Sequence, residues 1–76
     1  MANISTQTLE KRTVLLYTDE DGYFIAEVPS LPGCISQGET REEALENIQE
    51  AIGLHIEVLQ ERGLPVPVDN IEVVAV

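Results

Sequence analysis

Tryptophan is absent from this chain, and histidine, cysteine and methionine occur once each. A single cysteine, Cys34, cannot close an internal disulfide, so a reduced, cytoplasmic protein is expected rather than a disulfide-stapled secreted one. A single histidine, His55, cannot assemble a metal site, and no Ser or Cys stands beside it at a spacing that would make a nucleophile–base pair. Cations are scarce: four Lys and Arg stand against fourteen Asp and Glu, a formal net charge of −10. That deficit argues against direct nucleic-acid binding, which needs cations to displace phosphate counterions, and against an anionic membrane surface. It suits a basic partner. Long apolar runs are missing too. The longest reach four residues, far short of the roughly 20 that a spanning helix needs, and the polar opening residues 1–8 contain no secretory hydrophobic region. No zinc spacing, nucleophile elbow or phosphate-binding glycine loop is present. No catalytic, metal or cofactor-binding residue is therefore assigned, and the chain is not read as an enzyme.

What remains is a small domain with an ordinary apolar content. The chain has 76 residues, 43% of them hydrophobic, and at that size buries only roughly 60% of the surface its unfolded form exposes. Residues 1–11 read as a flexible arm and residues 12–76 as one domain. The run T-V-L-L-Y-T over residues 13–18 is β-branched and aromatic, a strand pattern. Asp21-Gly22 is a hairpin signal, because glycine reaches positive φ without a Cβ clash, and residues 23–28 form the return strand. Pro29-Ser30-Leu31-Pro32-Gly33 reads as a turn. A weaker third strand follows over residues 34–39.

Thr40-Arg41-Glu42-Glu43 is a capping box, in which the Thr hydroxyl accepts from the backbone at Glu43 and the Glu43 carboxylate reaches back. It opens a helix expected over residues 41–62, with Ala44, Leu45, Ile48, Ala51, Ile52, Ile56 and Leu59 as its apolar stripe. Gly63 stops it, and Pro65 and Pro67 forbid continuation. Residues 71–76, I-E-V-V-A-V, read as a final strand. The expected fold class is α+β: a β-β-β-α-β chain forming a single-layer, antiparallel-rich sheet with one helix on one face. Alternation along the strands assigns the faces. Val14, Leu16, Phe24, Ala26, Val28, Cys34, Ser36 and Gly38 fall beneath the helix. Leu15, Tyr17, Tyr23, Ile25 and Ile35 fall on a face that one helix cannot cover, and exposed contiguous apolar surface marks an interaction site.

Three uses of the carboxylates compete. Asp19 and Asp21, with Glu27, could hold a divalent cation as hard oxygen ligands, but acidic residues beside glycine are ordinary turn chemistry. Glu42, Glu46 and Glu50 recur every four residues without an intervening lysine, as do Glu57 and Glu61. This makes either a solvated face or a docking surface for a cationic protein. Asp19, Asp21, Glu39, Glu43, Glu46 and Glu50 are the candidate partner contacts. Tyr17, Tyr23 and Ile25 are the candidate self-interface. His55 and Cys34 read as a boundary residue and a small buried hydrophobe.

The stretch D-G-Y-F-I-A-E-V-P-S-L-P-G-C over residues 21–34 carries a family signature. It continues through S-Q-G-E-T (36–40) and E-A-L-E-N-I (43–48). In that order, over residues 13–67, these motifs resemble the HicB-like antitoxins of bacterial type II toxin–antitoxin systems. The resemblance implies a partial RNase H-like fold without a working nuclease site. It implies binding and neutralisation of a small, basic HicA-like mRNA interferase, and assembly into homodimers or larger homo-oligomers. Many members carry a C-terminal DNA-binding domain that contacts the operator. With Val76 only nine residues beyond Pro67, a short form without that domain is expected. The alternatives are a homo-oligomeric regulatory or structural module without a toxin, and a metal-dependent RNase H-like nuclease.

Overall fold

The computed structural model describes residues 11–76, so the expected arm lies almost wholly outside the described residues. Three strands, β1 (Leu15–Thr18), β2 (Phe24–Glu27) and β3 (Ile35–Gly38), precede one helix, α1 (Arg41–Glu61). The sheet is antiparallel in the order β1-β2-β3. The registers align Leu16 with Ala26 and Ser36, and Tyr17 with Ile25 and Gln37.

Each connection follows from its residues. At the β1–β2 turn the Gly22 N–H donates to the Asp19 carbonyl at 3.1 Å, and Gly22 takes φ +89°. The Asp19 carboxylate accepts from the N–H groups of Asp21 and Tyr23, both at 2.9 Å. The Pro29–Gly33 turn closes through Val28 N–H to the Cys34 carbonyl at 3.0 Å, with Gly33 at φ +86°. Thr40 caps α1: its hydroxyl accepts from the Glu43 N–H at 3.0 Å, and the Glu43 carboxylate accepts from the Glu39 N–H at 2.5 Å. The box thus closes one residue further back than the simple motif. Gly63, at φ +70°, ends the helix, and Leu64 N–H donates to the Leu59 carbonyl at 2.9 Å, a Schellman closure.

The helix packs on β3 and β2. Its first turn comes so close to β3 that a Cβ on Gly38 would meet the Ala44 nitrogen at 2.5 Å. The buried core is Ala26, Val28, Leu31, Cys34, Ala44 and Ile48, with Val14, Leu16, Phe24, Ala51, Ile52, Ile56 and Leu59 packed around it. Alternation therefore assigns the two sheet faces correctly, and Cys34 is the small buried residue expected.

The expectations need two corrections, and one residue of a correctly read turn proves to be core. Residues 71–76 form no strand: they run exposed, with Val73 74% and Val74 64% accessible, and pair with neither outer edge of the sheet. In place of a ladder, this C-terminal segment is held by side chains. The Thr13 N–H and hydroxyl donate to the Asp69 carboxylate at 3.0 and 2.8 Å, and the Arg12 guanidinium donates to the Pro67 carbonyl at 2.6 Å. Leu45 is half-buried and stands outside the core cluster. Leu31, expected within a turn, is fully buried: the turn folds inward and plugs the end of the sheet beneath the helix.

Candidate protein-binding surfaces

The Thr18–Phe24–Gly38 row forms one end of the sheet. Beyond it lie the hairpin turn, with Asp19 and Asp21, and the helix start, with Glu39 and Glu43. Residues some twenty positions apart in sequence thus share one acidic, exposed end. Glu46 and Glu50 carry the charge down the exposed side of α1, about 8 and about 14 Å from its start at roughly 1.5 Å per residue. Two of the six carboxylates already have internal work. Asp19 organises the hairpin turn and Glu43 closes the helix cap. Asp21, Glu39, Glu46 and Glu50 lie exposed. The helix has no basic residue in its last turn, so Glu57 and Glu61 meet the negative end of its dipole with only Arg62, at the C-cap, to offset them.

The alternative use of these acids as a cation site is not assembled. Glu27 lies at the foot of β2, accepting from the Tyr17 hydroxyl at 3.2 Å, while Asp19 and Asp21 lie beyond the opposite end. No group of three or more His, Cys, Asp or Glu among the described residues could hold a metal ion.

The sheet face turned away from α1 carries Leu15, Tyr17, Tyr23 and Ile35, which are 39, 47, 38 and 54% accessible. Ile25 sits half-buried directly between Tyr17 and Gln37. The three candidate self-interface residues therefore share one apolar face. Partial desolvation, then the bond and charge of Glu27, push the Tyr17 phenol pKa up. Burial likewise raises the Cys34 thiol, consistent with an inert packing residue.

Two features lie beyond what the sequence pattern marks. The first is the tether at the foot of the sheet. Arg12 donates to the Ser30 hydroxyl at 3.1 Å as well as to Pro67. The Asp69 carboxyl is held below its ordinary pKa by the Thr13 backbone and hydroxyl bonds first, then by Ser30 and the Arg12 charge. Asp69 and Thr13 are more than fifty residues apart, and no local pattern marks them. The second is a groove of about 470 Å³ between the start of β3 and the C-terminal half of α1, walled by Cys34, Ile35, Leu54, Val58, Arg62 and Leu64. Leu54 and Val58, spaced four apart beside the buried stripe, are its one sign in the sequence. No helix among the described residues is long and apolar enough to cross a membrane.

Residues 13–75 match the family described as HicB_like antitoxin of bacterial toxin-antitoxin system. The chain is 50% identical over 66 residues to a UPF0150 protein of Thermoplasma acidophilum, covering 87% of this chain and 96% of that protein. It is 44% identical over 68 residues to a UPF0150 protein of Synechocystis, covering 90% and 86%. Among solved structures, the N-terminal domain of the Burkholderia pseudomallei antitoxin HicB is similar at a TM-score of 0.61 and 32% identity, over 83% of this chain and 68% of that one.

Proposed function

This chain belongs to the HicB-like antitoxin family of bacterial toxin–antitoxin systems, and on that premise we propose that it neutralises a small basic HicA-like mRNA interferase by masking its surface. The observation that carries this reading is the charge. The chain's net charge is −10, and exposed carboxylates at the end of the sheet (Asp21, Glu39) continue into those on α1 (Glu46, Glu50). A toxin that handles RNA must present cations to phosphate, and an acidic surface of matching extent competes for those cations. The role is binding, in the cytoplasm, by the unit spanning residues 12–76. It requires no cofactor and no direct contact with nucleic acid. A homodimer through Tyr17, Tyr23 and Ile25 is compatible with it, since that face lies away from the acidic side of the helix and a two-fold contact leaves the latter open.

The test is co-expression with any small basic protein encoded beside this chain. The complex should co-purify, relieve growth arrest and weaken with salt. Glu46→Lys combined with Glu50→Lys should lower the association rate and affinity, because surface charges of this kind act chiefly on encounter, with the helical circular dichroism unchanged. Unaltered affinity would remove this helix face from the interface, and a neighbour that neither binds nor arrests growth would remove the function.

A further inference from the structure

We propose that Gly53 is the point at which a helix of the basic partner crosses α1, approaching its main chain more closely than a side chain at that position would permit. This contact rests on the reading above, that a basic protein docks on the acidic side of α1, and it lies on the same side as Glu46 and Glu50. Glycine is a poor residue for mid-helix, because it gives up the most backbone freedom and packs no side chain. The other glycines have a reason inside the fold. Gly22, Gly33 and Gly63 take positive φ, and Gly38 leaves room for the first turn of α1. Gly53 has neither reason. Its φ is not positive, and a Cβ there would meet nothing within 4 Å among the described residues. It lies exposed within a helix of 21 residues. Glycine therefore weakens α1 at this position without serving the chain's own packing, and the room it leaves faces outward.

The neighbours of Gly53 select what uses that room. Residues three and four apart share a helix face, so Gln49, Glu50 and Glu57 border the glycine, and all three are exposed. Glu50 and Glu57 stand on opposite sides of it, about 4.5 and about 6 Å away along the axis at roughly 1.5 Å per residue. Between Arg41 and Arg62 the helix carries six Glu and no Lys or Arg. The face is thus of one sign on both sides of the notch, and charge complementarity calls for a cationic occupant. Leu54, 59% exposed, follows Gly53 around the helix towards the β3 groove and gives the contact an apolar flank. The occupant's form follows from the main chain. The N–H and C=O groups of mid-helix are bonded within α1, so this face offers an incoming strand nothing to pair with. Two helices instead touch most closely at one crossing, with their axes roughly 8–10 Å apart according to the side chains at the contact. A glycine at the crossing sets the near end of that range, and it brings Lys or Arg side chains of the partner onto Glu50 on one side and Glu57 on the other.

Binding kinetics of the full chain with any small basic protein encoded beside it, set against urea unfolding of the free chain, test this. Gly53→Ala and Gly53→Leu keep the charge and replace glycine by better helix formers, so both should raise the unfolding midpoint. Both should nonetheless weaken the complex, Ala by about tenfold, as overpacking at a close contact does, and Leu by more. The loss should fall in the dissociation rate, because the field that steers encounter is unaltered, whereas Glu46→Lys combined with Glu50→Lys should slow association. Variants that bind like wild type would overturn the crossing at Gly53 and leave the acidic surface in place. Equal losses for Ala and Leu would overturn it as well, since they would trace the effect to helix stiffness rather than to space. A wild-type chain that binds no basic neighbour would overturn the crossing together with the function on which it rests.

Discussion

At the residue scale, two glycines sit in opposite surroundings and should respond oppositely to the same change. A Cβ on Gly38 would lie 2.5 Å from the Ala44 nitrogen and 2.9 Å from the Glu43 carbonyl carbon, both backbone atoms, so Gly38→Ala must push α1 off β3. A loss of about 1–3 kcal/mol is expected, as for other overpacked sites, read as a lower urea midpoint at unchanged slope. Gly53 is exposed in mid-helix, and a methyl group there would have no neighbour within 4 Å. Gly53→Ala should therefore stabilise by about 1 kcal/mol, the difference in helix propensity. The close approach at Gly38 is legible in the sequence, because Cys34, Ser36 and Gly38 alternate as small residues on the helix side. The role of Asp69 is not, since its partners Arg12, Thr13 and Ser30 come together only in the fold. Asp69 carries its own prediction. Its carboxyl has a folded pKa below the ordinary value of 3.8, so its bonds contribute stability in full above that value. The contribution is lost as pH falls through the lower folded value. Asp69→Asn should flatten the pH dependence of stability on the acid side, measured as urea midpoints from pH 5 downward; an unchanged slope would detach Asp69 from the tether.

At the element scale, the helix is the most legible part of the chain because its start, stripe and stop are all local signals. Thr40 and Glu43 form the cap, Gly63 forms the closure, and α1 ends at Glu61, one residue short of the expected end. Thr40→Ala removes the acceptor for the Glu43 N–H and should cost about 0.5–2 kcal/mol. The stripe is one residue narrower than its spacing predicts. Ile48 is 1% accessible and in the core, whereas Leu45 is half-buried and outside it. Ile48→Ala should then cost about 2–5 kcal/mol, and Leu45→Ala distinctly less; equal losses in thermal or urea unfolding would contradict the packing. The final strand shows the limit of local reading. The composition of residues 71–76 states a preference for extended backbone, but whether a strand forms depends on a sheet edge elsewhere in the molecule or in another one. The inward turn at Leu31 illustrates the same limit in reverse: Pro and Gly announce a turn correctly, and nothing local announces that its middle residue fills the core.

At the scale of the whole molecule, one quantity governs several behaviours with different signs. A net charge of −10 on 76 residues opposes the compact state, and Glu57 and Glu61 add to this near the C-terminal end of the helix, where Arg62 at the C-cap is the one cation. Salt should therefore raise the unfolding temperature of the isolated chain, with most of the gain reached by about 0.15 M, where the screening length has fallen to about 8 Å. Self-association should strengthen over the same range, because its contacts are apolar and its opposition is electrostatic. Binding of a basic toxin should weaken over that range, because there the charges attract. The three measurements share one ionic-strength series, and the opposition between the last two separates the surfaces. If toxin binding and self-association instead moved together with salt, a single interface would be serving both, and the division between the acidic side of α1 and the apolar contacts would fail.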